Sequence, residues 1–164
     1  MSKKVWERAK WIGLPLEEIH EKNIYHGDLT GRFAYFRCEQ TIYEQASLKI
    51  SITACSRYRL WVNGKSVLSG PCKGDMQRHF YETLDVTDYL INGKNVFAMQ
   101  VLYCDPNTVV SQSDERASIF GVNTPLGGHR AAVEGEIIGA NGREIGTVTT
   151  GIAVWKVYLD NIFI

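Results

Sequence analysis

Along much of the chain, apolar and polar residues alternate with a period of two, the signature of half-buried β-strands. The clearest case is residues 47–55, where Leu48, Ile50, Ile52 and Ala54 alternate with Ser47, Lys49, Ser51 and Thr53. Residues 57–62 follow almost directly: Tyr58, Leu60 and Val62 fall on one face, Arg57, Arg59 and Trp61 on the other. Asn63-Gly64 comes next. Both residues tolerate the positive φ of a type I′ turn, so the chain is expected to return as a hairpin strand through residues 66–69. A polar loop with Gly70, Pro71, Gly74 and Asp75 leads to a further alternating run, 80–84.

The remaining elements are read in the same way. Residues 33–38 (FAYFRC) form the first strand, aromatic on both faces. Asp85 and Thr87 are N-caps for one short helical turn through Tyr89-Leu90, ended by Asn92-Gly93. Residues 95–104 are nearly continuously apolar, which predicts a central strand covered on both faces. Residues 105–117 make the longest polar connection, 118–122 a short strand, and 124–130 turn chemistry. Residues 131–138 and 144–149 read as a hairpin joined by 140–143, and 152–159 as the last strand. Ahead of all this, Leu14 to Ile19 suits a turn of helix with Pro15 near its first position, and 20–31 is polar and irregular.

About nine short strands, turn signals every 8–12 residues and little helix predict an all-β, antiparallel β-sandwich. A closed barrel is the structural alternative. The expected organisation is an N-terminal extension, 1–32, packing on a sandwich of 33–164. The apolar ending Ile162-Phe163-Ile164 suggests a natural polypeptide that continues further.

Composition excludes more than it selects. The length of 164 residues suits one domain that needs no disulfide or metal to hold a core. Lys+Arg and Asp+Glu both number 18, so nothing favours a nucleic-acid partner. No apolar run approaches the roughly 18 residues of a membrane span, and no signal peptide follows the basic start. The cysteines at 38, 55, 72 and 104 form no CxxC pair, so a zinc site fails and reduced thiols in the cytoplasm are expected.

Candidate chemistry is sparse. The histidines stand at 20, 26, 79 and 129, and no G-x-S-x-G elbow is present. Cys72 and His79 share a loop region, but an incidental thiol beside a surface histidine explains them better. Asp75, His79, Asp85 and Asp88 could gather at one rim. Calcium would suit those oxygens, yet capping and turn roles account for Asp85 and Asp88, so no cofactor is expected. Gly127-Gly128 opens no helix and makes no phosphate cradle. The sharper reading is carbohydrate binding: Trp61 flanked by Arg57 and Arg59 offers a ring for sugar C–H groups and donors for hydroxyls. Asp75, Arg78, His79 and Tyr81 could supply the rim. The competing reading makes Trp61 a packing residue under a loop or against another domain.

A series of motifs carries a resemblance. Tyr58, Leu60, Val62, Asn63, Gly64 and Lys65 are followed by Gly70 and Pro71. Then come Tyr81, Thr83, Asp85, Val86, Thr87 and Leu90, and finally Gly93, Asn95, Ala98 and Val101. This order resembles the N-terminal jelly-roll, galactose-binding-domain-like sandwiches of α-L-rhamnosidase-family glycoside hydrolases. Trp155 and Lys156 match a late "WKV" strand, but Thr150-Gly151 stand where the family places an Asp, which puts any polar role of that Asp in doubt. The resemblance covers roughly residues 33–158. It implies a non-catalytic accessory domain, because the family's catalytic carboxylates lie in a separate helical barrel. The implied partners are other domains of the parent glycosidase and rhamnose-containing saccharides. A free-standing lectin-like module, or the sugar-binding domain of a β-galactosidase-like enzyme, is the alternative.

Overall fold

The computed structural model describes residues 6–14, 33–72, 80–102 and 130–160. Nine strands are present there: β1 (Phe33–Ile42), β2 (Ala46–Ala54), β3 (Tyr58–Val62), β4 (Lys65–Gly70), β5 (Glu82–Asp85), β6 (Gly93–Leu102), β7 (Ala131–Gly139), β8 (Glu144–Thr147) and β9 (Trp155–Leu159). They form a five-stranded sheet, β4-β3-β6-β1-β9, and a four-stranded sheet, β5-β2-β7-β8. Every strand pair is antiparallel. The expected sandwich is therefore the observed fold.

The core lies between the sheets and follows from the alternation. Phe36 and Cys38 of β1, Leu60 and Val62 of β3, and Phe97, Met99 and Val101 of β6 point inward from one sheet. Leu48, Ile50 and Ile52 of β2 and Val133 and Ile137 of β7 meet them from the other. Truncating a buried phenylalanine such as Phe36 or Phe97 would cost about 3–5 kcal/mol. The hairpin between β3 and β4 turns as its sequence demands: Asn63 has φ 50° and Gly64 φ 79°. A bulge between Leu60 and Trp61 then shifts the register of β4.

Three local expectations are corrected. β6 is not covered on both faces. Its inward residues are buried, while Val96, Ala98, Gln100 and Leu102 are half-buried. On β2, Ser51 and Thr53 are buried rather than solvent-facing. The Ser51 hydroxyl pairs with that of Thr83 at 2.9 Å, and Thr53 donates to the Phe80 carbonyl at 2.7 Å. Edge strand β5 and the residue leading into it thus satisfy them. β9 begins only at Trp155, because residues 149–153 close a turn in which Ile152 and Ala153 donate to the Thr149 carbonyl and Gly151 takes φ 84°.

The helical turn is a single 3₁₀ turn, Thr87–Tyr89. Val86 occupies its cap position without a side-chain cap, while Asp85 accepts from the Thr87 N–H at 3.0 Å. Ahead of β1, residues 6–14 lie on the four-stranded sheet. The Glu134 carboxylate accepts from the backbone N–H groups of Glu7, Arg8 and Ala9, and Ile12 exchanges backbone hydrogen bonds with Ala131. The sequence expectations for residues 15–31, 105–129 and 162–164 lie outside the described residues.

Candidate functional site

The outer face of the five-stranded sheet carries the guanidinium–aromatic combination. Strand periodicity puts Arg59 and Trp61 on the same side, and the Arg59 guanidinium carbon lies 5.8 Å from the Trp61 ring centroid. That is within cation–π range. Arg57, one residue before β3, donates to the Pro71 carbonyl at 3.1 Å, and Arg59 Nε approaches the Ser69 hydroxyl at 3.4 Å.

Antiparallel register brings in residues from distant parts of the chain. Arg59 stands opposite Ser69 on one side and Gln100 on the other; Gln100 stands opposite Tyr35, and Tyr35 opposite Tyr158. This row crosses the whole sheet. Gln100 Nε2 donates to the Tyr35 hydroxyl at 2.9 Å, and that hydroxyl lies 3.4 Å from Asp160 Oδ2. At one end of the row is an open groove of about 410 Å³, walled by Phe33, Leu102, Ser69 and Gln100 with Arg57 and Arg59.

Behind the groove, Tyr58 points into the sandwich and donates to Glu82 Oε2 at 2.7 Å. Burial, then the Glu82 carboxylate, push the Tyr58 hydroxyl far above the ordinary tyrosine range. The same carboxylate accepts from the Cys72 N–H and pushes the exposed Cys72 thiol upward. Glu82 is thus a tie between Tyr58 and the backbone after the cis Gly70–Pro71 bond.

Of the residues read as sugar-binding, Arg57, Arg59 and Trp61 share this outer region. Tyr81 precedes β5 in the other sheet, where its ring meets that of Trp6 edge-on at 5.4 Å. Asp75, Arg78 and His79 lie outside the described residues, as do all four histidines. Asp85, held below the usual carboxylate range by the Thr87 hydroxyl and N–H, stands just ahead of the 3₁₀ turn that contains Asp88. Among the described residues no three His, Cys, Asp or Glu side chains are placed to hold a metal ion. Sequence reasoning missed Phe33, Tyr35, Gln100 and Leu102. Gln100 carried a signal, as the one strongly polar residue of the apolar run 96–104.

A second charged cluster lies on the four-stranded sheet. Arg8 bridges Glu136 at 2.7 Å and Glu144 at 3.0 Å, which raises its own pKa. With Glu134 holding the backbone of residues 7–9, these carboxylates fasten the N-terminal segment.

Neither a family model nor a curated protein matches the sequence. Solved structures do match the fold. The native α-L-rhamnosidase of Aspergillus terreus superposes with TM-score 0.61 at 22% identity over 80% of this chain and 15% of its own. This sandwich is the fold of one segment of an α-L-rhamnosidase. A GH78-family rhamnosidase of Bacillus sp. GL1 matches with TM-score 0.58 and 22% identity, covering 95% of this chain and 14% of that one. The Streptomyces avermitilis α-L-rhamnosidase complexed with L-rhamnose gives 0.51 and 15%, covering 93% and 14%. The sandwich therefore spans about one-seventh of the enzymes whose fold it shares.

Proposed function

We propose that this chain is a non-catalytic accessory domain of an α-L-rhamnosidase-type glycoside hydrolase. It packs against other domains of the same protein, and the outer face around Trp61 contacts saccharide. The observation that carries this reading is the coverage: nearly the whole sandwich matches, yet only 14–15% of each enzyme is accounted for. The paired carboxylates that glycoside hydrolysis needs belong, on this reading, to another domain. The carboxylates the fold brings together here, Glu134, Glu136 and Glu144, are engaged by residues 7–9 and Arg8.

The reading places the domain in the cytoplasm. Free thiols at Cys38 and Cys72 support a reducing compartment. Among the described residues no helix is long and apolar enough to cross a membrane.

The test compares this chain alone with the full natural reading frame that contains it, on p-nitrophenyl α-L-rhamnoside. The chain alone is expected to give no hydrolysis and the full frame to be active. Hydrolysis by the chain alone would overturn the non-catalytic assignment. A full frame that ends with this sandwich would favour the lectin-like module instead.

A further inference from the structure

We propose that the groove beside Arg57 and Arg59 binds the carboxylate of an acidic sugar, a hexuronate unit of a larger saccharide. The inference rests on reading the chain as a saccharide-contacting domain and names the class of sugar. Two guanidiniums line one groove, and among the described residues no carboxylate lies within ion-pair distance of either. Their recorded bonds, to the Pro71 carbonyl and the Ser69 hydroxyl, use one N–H of each. The remaining donors form the fork that suits a carboxylate bidentately.

The other walls match the rest of a uronate. Phe33 and Leu102 are half-buried and give an apolar surface for ring C–H groups. Gln100 commits its Nε2 to Tyr35, which leaves its carbonyl oxygen to accept from a sugar hydroxyl. The Ser69 hydroxyl can donate or accept. The nearest acid behind the wall, Glu82, is already engaged by Tyr58 and the Cys72 N–H. At about 410 Å³ the groove falls within the range of small-molecule sites. A neutral deoxy sugar would offer neither guanidinium a counter-charge.

The test titrates the full chain by calorimetry and NMR with D-galacturonate and D-glucuronate, against D-galactose, L-rhamnose and acetate. Uronate is expected to bind at least about tenfold tighter than its neutral counterpart, since a charge-assisted hydrogen bond is of that order. Arg59→Ala should lose about tenfold or more and Arg57→Ala likewise, with Arg59→Lys intermediate, in variants whose melting is unchanged. Gln100→Glu should weaken uronate by a larger factor than galactose, since the added charge faces the sugar carboxylate. Acetate binding as tightly as uronate would reduce the groove to a bare anion site and overturn the sugar assignment. Rhamnose binding equal to uronate, or no uronate binding at about 10 mM, would also overturn it. None of these outcomes touches the rhamnoside hydrolysis comparison, so the two readings fail separately.

Discussion

Replacing Asn95 with alanine should destabilise the domain more than its small size suggests. Its side chain is fully buried and makes four hydrogen bonds. Oδ1 accepts from the Ile91 N–H at 2.9 Å and from Asn63 Nδ2 at 2.8 Å, and Nδ2 donates to the Ile91 and Gly93 carbonyls at 2.8 and 3.1 Å. Asn63 extends the link, donating to the Tyr89 carbonyl at 2.8 Å and accepting from the Val96 N–H at 2.8 Å. The two amides therefore tie the β3–β4 turn to the exit of the 3₁₀ turn and the start of β6. Asn95→Ala removes four hydrogen bonds, and each donor or acceptor left unpaired costs about 1–3 kcal/mol if dry. Ile91 is 53% exposed, so water recovers part of this, and about 2–4 kcal/mol remains. At about 2–4 °C per kcal/mol for a domain of this size, Tm should fall by about 4–16 °C. Thermal melts followed by circular dichroism, with urea midpoints at unchanged slope, measure it. Asn95→Asp should be at least as damaging at neutral pH, because a carboxylate would face two carbonyls. A drop below about 2 °C for Asn95→Ala would refute the reasoning.

Three other outcomes are expected. Because the folded-state pKa of Tyr58 is raised, its contribution is complete below the ordinary tyrosine pKa of about 10 and is lost as pH rises above it. The stability gap between wild type and Tyr58→Phe, about 1–2 kcal/mol near neutrality, should shrink in melts taken from pH 9 upward. Gly135→Ala would place a Cβ 2.8 Å from Ile50 Cγ2 and 3.1 Å from Leu48 Cδ1, so unfolding in urea should show a loss of about 1–3 kcal/mol. Glu134→Ala removes the acceptor shared by three backbone N–H groups, and limited proteolysis within residues 6–14 should accelerate roughly 5- to 30-fold while the core melt moves less.

The legible part of the fold was the part encoded by local periodicity. Leu48, Ile50 and Ile52, or Tyr58, Leu60 and Val62, announce an inward face without any partner being known. Asn63-Gly64 likewise fixes a hairpin from two residues. What failed needed a neighbour. Ser51 and Thr53 read as solvent-facing because their burial depends on the hydroxyl of Thr83 and the carbonyl of Phe80, some thirty residues on. The site divides in the same way. Arg57, Arg59 and Trp61 share a face by parity alone, whereas Phe33, Gln100 and Leu102 join them only through pairings between strands far apart in sequence.

That pairing pattern also bears on how the domain is made. Only β3–β4 and β7–β8 are joined as consecutive strands; β1 waits for β6 and β9, and β2 for β5 and β7. Because Ala34 pairs with Leu159 and Ala46 with Gly139, neither sheet can close on a ribosome until the last strands have emerged. Loop-closure entropy of this kind puts folding in the millisecond-to-second range, and on the nascent chain β2 stays unpaired until β5 emerges and β1 until β6. The interval during which those strands stand exposed on the nascent chain is thus set by strand order, whatever the finished domain goes on to bind.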